Sequence, residues 1–228
     1  MLTELRNNID FYIRNLTKFS RTNFEEKNPD SIEQNRLENL YVETVLEKYL
    51  TKIDKKKIRI LDVGCKNWSY VKGEYSYFSK YYDNFILEGV EIDAYRLYSN
   101  FYSRFETAKY YMKGLKNANY IADDVLNLNS KYDFIIWILP FVSIYPLKYW
   151  GLPKKYFCPE KLLNHVYSNL LNDNGQLLII NQGKEEAKIQ KELFLNLGIK
   201  YEHLDEIKSN IYLYKNKRYG YLIKKDTP

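Results

Sequence analysis

The sequence predicts an α/β domain: a Rossmann-like, mostly parallel sheet with helices on both faces, a C-terminal antiparallel hairpin and an N-terminal helical cap. Three observations carry this. Short apolar runs recur along the chain, helix-like segments separate most of them, and the tail changes to two strand-like runs around a basic turn. Strands that alternate with helices are joined by crossovers, which pair them in parallel and put the helices on the sheet faces. A length of 228 residues suits one such domain with a modest extension.

Residues 1–54 read as the helical extension. Leu2, Leu5, Ile9, Ile13, Leu16 and Phe19 recur at spacings of three and four, which makes one apolar stripe along a helix. Asn28-Pro29-Asp30-Ser31 reads as a turn. Asp30 with Glu33 reads as a helix start, because the aspartate accepts an orphan amide while the glutamate reaches back. Leu37, Leu40, Val45, Leu46, Tyr49 and Leu50 mark the helix that follows.

Residues 55–228 form the sheet domain. Ile58–Val63 is nearly all apolar and ends at Gly64, as expected of a strand buried on both faces. Similar runs lie at residues 85–92, 120–122, 132–139 and 176–181. Residues 159–171 read as a helix with Pro159 at its first position. Residues 211–214 and 219–223 flank 215–218 and read as the terminal hairpin.

Composition narrows the function classes. Hydrophobic residues make up 45% of the chain, which excludes a disordered polypeptide. The 24 tyrosines read first as a coding bias rather than a function. The net charge of +6 admits an anionic partner such as nucleic acid. Support for that partner is weak, because the basic residues are spread thinly and the runs at 55–57 and 215–218 read as solvated. Two cysteines and two histidines lack metal-ligand spacing, so neither a metal nor a disulfide is expected, in keeping with a reducing compartment. Residues 1–14 lack the apolar core of a signal peptide. The longest apolar run, 134–142, is too short to span a bilayer, and a cytoplasmic protein is the expectation.

Ligands of open parallel sheets bind at the carboxyl ends of the strands, and three such ends carry suggestive residues. The first is Asp62-Val63-Gly64-Cys65-Lys66-Asn67-Trp68, where a glycine just past a buried strand lets the backbone approach a ligand and the following amides face an anionic group. The second is Glu91-Ile92-Asp93. A carboxylate at the tip of the second strand accepts hydrogen bonds from a ribose diol, whereas Asp93 reads equally as a helix cap. Residues 62 and 91 stand 29 apart, and the tyrosine-rich stretch 70–82 absorbs the excess over the usual spacing of about 20. The third is Asp123-Asp124-Val125-Leu126, where a carboxylate accepts from an exocyclic amine.

This ordered set resembles the class I S-adenosylmethionine-dependent methyltransferases over about residues 57–225. Asp62 and Gly64 match the start of the family's acidic, glycine-rich motif. Lys66 and Trp68 stand where its second and third glycines would be. The resemblance implies S-adenosylmethionine as cofactor, held by Asp62, Gly64, Lys66, Glu91, Asp124 and Val125, with Glu91 on the ribose and Asp124 in the adenine-contact segment. At the fourth strand Pro140-Phe141 retains only part of the tetrad of amino-methylating members, so no catalytic role carries over. Residues 141–158 are aromatic and proline-punctuated and lie where acceptor-binding loops belong. Pro140, Phe141, Tyr145 and Tyr149 are the acceptor-pocket candidates, beside Trp150 and Tyr156. The expected activity is therefore methyl transfer to an unidentified acceptor. Two alternatives stay open: a non-catalytic protein on this fold, binding RNA for example, and a nicotinamide-dependent oxidoreductase. The latter expects Gly-x-Gly-x-x-Gly where this turn offers one glycine.

Overall fold

The computed structural model describes residues 2–18 and 29–226. Seven strands, β1 (Ile58–Val63), β2 (Phe85–Val90), β3 (Ala118–Ile121), β4 (Tyr132–Ile138), β5 (Leu171–Gln182), β6 (Glu202–Glu206) and β7 (Arg218–Lys224), form one sheet. Its order is β3-β2-β1-β4-β5-β7-β6. The first five strands pair in parallel, and β7 lies antiparallel to both β5 and β6. The carboxyl ends of the parallel strands and the start of β7 therefore share one edge.

Seven helices accompany the sheet: α1 (Leu2–Thr17), α2 (Pro29–Tyr49), α3 (Val71–Tyr81), α4 (Arg104–Tyr111), α5 (Ile144–Tyr149), α6 (Pro159–Asn164) and α7 (Gly183–Asn196). One core joins α2 and α3 to the inward residues of β1, β2 and β4 through Tyr41, Leu46, Phe78 and Phe134. The core on the opposite face gathers Leu61, Ile135, Val166 and Phe194. A third, small cluster packs Phe11 of α1 on Leu147 and Leu152.

Several sequence expectations are corrected. The apolar stripe on α1 is not its buried face: Leu2, Leu5, Ile9, Ile13 and Leu16 are exposed, and Phe11 is the residue it buries. Phe19 and Asn28 lie outside the described residues, as does the side chain of Asp30. The helix from Pro159 gives way to a π-helical turn over His165–Leu170. The partner of β7 is β6, not residues 211–214. Charged, half-solvated Glu-His-Leu-Asp-Glu suits an edge strand that must not recruit another chain. Tyr214 packs on α2 instead, with its ring 5.1 Å from that of Tyr41 and its hydroxyl donating to Glu38 Oε1 at 3.1 Å.

The stretch 70–82 is largely α3, and its first turn closes over a buried polar cluster. Trp68 is fully buried and donates from Nε1 to Glu74 Oε2 at 2.8 Å. Its indole lies on Gly89 of β2, where an added Cβ would meet the ring at 2.9 Å and Cys65 Sγ at 2.8 Å. Asp62 on β1 is also fully buried, and neither of its oxygens has a partner in hydrogen-bond geometry. Burial pushes its carboxyl up to about 8, the Tyr70 hydroxyl and Trp68 indole offset part of this, and the Glu91 charge adds to it. Burial, then the Asp62 charge, likewise raises Glu74 well above the carboxylate range.

Two outcomes follow. Gly89→Ala should cost about 1–3 kcal/mol in urea denaturation, the range for overpacking a filled core, because the ring and thiol it strikes are buried. Asp62 binds its proton more tightly in the folded chain than in the unfolded one. Its contribution is thus complete below about pH 4, the unfolded carboxyl range, and is lost as pH rises towards about 8. Denaturation at a series of pH values should show stability falling across that window, and Asp62→Asn should flatten the fall.

Candidate functional site

The chain leaves β1 through a turn with left-handed backbone at Gly64 (φ 69°), Lys66 (φ 60°) and Trp68 (φ 51°). Such a conformation costs a non-glycine residue about 1–3 kcal/mol, so its surroundings must impose it. They do so through backbone bonds. The amides of Gly64 and Cys65 donate to Val90 O at 2.8 and 3.2 Å, that of Trp68 donates to Cys65 O at 2.8 Å, and Tyr120 Oη donates to Lys66 O at 2.6 Å. The Lys66 amide donates to Glu91 Oε2 at 3.0 Å. The positions of the missing glycines thus keep a glycine-like backbone. The Trp68 side chain turns into the core, and Gly64 faces open space, with nothing within 4 Å of where a Cβ would stand.

Above this turn lies a cavity of about 660 Å³, within the size range of small-molecule sites. Gly64, Lys66, Glu91, Asp124, Val125, Pro140 and Phe141 all line it. Three proposed site residues do not. Asp62 lies beneath the turn, buried against α3. Tyr145 and Tyr149 stand 78% and 85% exposed on the outer side of α5, because Leu147 is the residue that α5 turns inward. In the aromatic stretch, Trp150 and Tyr156 face the cavity instead.

Glu91 follows β2 and is buried. Its Oε1 accepts from the Asp93 amide at 2.7 Å and ion-pairs with Arg104 Nη1 at 3.2 Å. Oε2 accepts from the Lys66 amide, so each oxygen takes one hydrogen bond and the carboxylate retains acceptor capacity. Arg104 opens α4, which begins at a Ser103–Glu106 capping box. Asp93 is not a helix cap. Fully buried, it ion-pairs with Arg96 at 2.5 Å and with Arg14 of α1 at 3.1 Å. After β3, Asp124 Oδ1 accepts from the Leu126 amide at 3.0 Å and starts a 3-10 turn over Val125–Asn127. Asp124 Oδ2 and the Val125 amide, a first-turn donor, are left to a ligand.

Trp150 covers this side of the cavity. Lys66 Nζ lies 4.7 Å and the Arg104 guanidinium 5.3 Å from its ring centroid, and Arg96 donates to its carbonyl. Lys66 therefore rests on the indole, not on Gly64. Next to the neighbouring segment, the Lys154 amide donates to Glu4 Oε1 of α1 at 2.7 Å, and Phe11 meets Tyr156 with ring centroids 5.0 Å apart. At the far end the cavity is lined by Glu38 of α2, Tyr70, Tyr214 and Arg218.

Arg104 and Arg218 escaped sequence reading for different reasons. The capping box at 103–106 was legible as a helix start but not as a device that aims its next residue inward. Arg218 sat in a basic run that reads as solvated, whereas the structure buries it at the first position of β7.

No family model matches the sequence, and no curated protein matches it. Solved structures do. A SAM-dependent methyltransferase from Aquifex aeolicus is 16% identical, with a TM-score of 0.59 over 87% of this chain and 98% of that one. Magnesium protoporphyrin IX methyltransferase from Synechocystis PCC 6803, with bound SAM, is 12% identical, with a TM-score of 0.55 over 90% of this chain and 88% of that one. A ribosomal protein L11 methylase from Lactobacillus delbrueckii subsp. bulgaricus is 12% identical, with a TM-score of 0.51 over 86% of this chain and 80% of that one. At these identities the likeness concerns architecture: the chain has the class I, Rossmann-like fold of the S-adenosylmethionine-dependent methyltransferases.

Proposed function

We propose that this chain is a methyltransferase that binds S-adenosylmethionine in the cavity above Gly64 and passes its methyl group to an acceptor bound beside it. One observation carries the reading. The free acceptor capacity of Glu91, the free Oδ2 of Asp124 and the Val125 amide converge on one cavity whose floor is open at Gly64. A ribose diol needs acceptors at the β2 end, and an adenine needs one acceptor and one donor beyond β3. These residues offer that set in that order.

When bound, the cofactor supplies an electrophilic methyl group on a sulfonium. The residues of this chain then have positional work only. Gly64 lets the backbone come close to the ligand, Glu91 and Asp124 fix the nucleoside, and Trp150 with Lys66 keeps water off it. Transfer of this kind depends on holding the reacting atoms in line and dry, without a covalent protein intermediate. In this reading residues 1–54 cover the site and 55–228 form its body. The neighbours named above differ in acceptor, so their likeness does not choose one here.

Calorimetric titration with S-adenosylmethionine and S-adenosylhomocysteine tests the reading. At a hundredfold excess over Kd either ligand should stabilise the fold by about 2.7 kcal/mol, equivalent to about 5–11 °C in Tm for a domain of this size. Glu91→Gln keeps the shape but removes the charge, at about 1.5–3 kcal/mol for a charge-assisted hydrogen bond. It should weaken binding about 10- to 100-fold. Glu91→Ala is the poorer probe, because it strands the buried Arg104 cation. No binding of either ligand at millimolar concentration overturns the reading and leaves a non-catalytic protein on this fold.

A further inference from the structure

Arg218 is 8% exposed, yet it lines the cavity. Because β7 runs antiparallel, its first residue lies beside the carboxyl end of β5, in register with Gln182. The guanidinium stacks on Tyr214, 4.2 Å from the ring centroid, and Nη1 donates to Gln182 Oε1 at 2.8 Å. Among the described residues no carboxylate comes within 4.0 Å of it.

The contrast with the other arginines is direct. Arg14, Arg59, Arg96 and Arg104 are each buried or half-buried, and each has a carboxylate at 3.1, 2.6, 2.5 and 3.2 Å respectively. A buried cation without a counter-ion is costly. Arg218 keeps that arrangement where it faces a cavity, and burial holds its pKa below the ordinary arginine value. The nearest acids are already engaged: Glu38 accepts from Ser69 Oγ at 2.8 Å and from Tyr214 Oη, and Glu186 accepts from the Gln182 amide at 3.1 Å.

We propose that Arg218 is the anchor for the methyl acceptor, and that the acceptor is a small, largely apolar carboxylic acid. The inference rests on the methyltransferase reading for the word acceptor, but the carboxylate subsite stands on Arg218 alone. An arginine fork matches a carboxylate bidentately. One unpaired guanidinium balances one negative charge, and Glu38 at the same end of the cavity disfavours a doubly charged phosphate. Between Arg218 and the cofactor end the wall is apolar, with Leu139, Pro140 and Phe141, so the body of the acid meets hydrocarbon while its head meets the cation. The nucleoside positions at β2 and β3 lie four and five strand spacings from β7, about 19 and 24 Å, which separates this handle from Glu91 and Asp124.

The test uses the full chain with benzoate, phenylacetate and cinnamate as probes, each against its uncharged amide, titrated by calorimetry with and without saturating S-adenosylhomocysteine. The carboxylates should bind at least tenfold more tightly than the amides. Arg218→Met should erase that preference and leave the affinity for S-adenosylhomocysteine within about threefold of the unmodified protein. Arg218→Lys should restore part of the preference, which guards against a variant that merely misfolds, and the acid-versus-amide comparison in the unmodified chain needs no variant at all. Equal binding of acids and amides overturns the proposal, as does binding of neither. So does a tenfold or greater loss of S-adenosylhomocysteine affinity in Arg218→Met, since the arginine would then serve the carboxylate of the cofactor. Failure of S-adenosylhomocysteine to bind sinks the methyltransferase reading instead, while the probes titrated without it still decide whether Arg218 holds a carboxylate.

Discussion

The turn between β1 and α3 sets the rest of the site. Left-handed backbone at Gly64, Lys66 and Trp68 reverses the chain so that alternate residues face opposite ways. Trp68 and Cys65 go down onto Gly89 and lock α3 to the sheet, while Gly64 and Lys66 face the cavity. Strain at two non-glycine positions is held by the bonds that β2 and its tip offer, above all the one from the Lys66 amide to Glu91. The Glu91 carboxylate that lines the cavity thus also fixes the turn at its floor. The buried Asp62 and Glu74 sit directly below, and the Asp62 charge raises the cost of ionising Glu74.

Electrostatics divides the cavity into two unlike ends. At the β2 end three arginines and two buried acids interlock, so each arginine there has a carboxylate partner within the protein. At the β7 end one cation is left over. Trp150 borders the first end and carries two cations on its ring, while Arg96 holds its carbonyl. A cation held against an aromatic ring in a poorly solvated site is worth about 2 kcal/mol or more.

Much of the fold was legible because burial on both faces leaves an unmistakable sequence. β1, β2 and β4 are largely apolar runs, and the tips Gly64 and Glu91 follow from where the first two stop, as Asp124 does from the shorter run of β3. β6 was illegible because an edge strand of Glu, His and Asp carries no apolar period, and residues 211–214 attracted the assignment by being apolar for another reason, their packing on α2. The same limit governs the site. Composition marks residues 141–158 as aromatic, but a short helix such as α5 decides by rotation which rings face inward, so Trp150 and Tyr156 line the cavity and Tyr145 and Tyr149 do not. Arg218 was hidden by its neighbours: three residues of solvated turn precede it, and only the strand pairing reveals that the fourth is inside.

The modest attachment of α1 has a thermodynamic consequence. Phe11, the Arg14–Asp93 ion pair, the Glu4 contact to Lys154 and the Lys155 contact to Tyr12 tether it, while most of its apolar residues face water. Asp93 is two residues from Glu91 and shares Arg104 with it. Docking of the helix and occupancy of the β2 tip are therefore two equilibria that draw on the same charges. By reciprocity, whatever free energy a bound ligand lends to the helix, the helix returns to the ligand. Undocking such a helix requires undoing the Phe11 cluster and a few polar and cation contacts, a small local opening set against the global unfolding of the sheet.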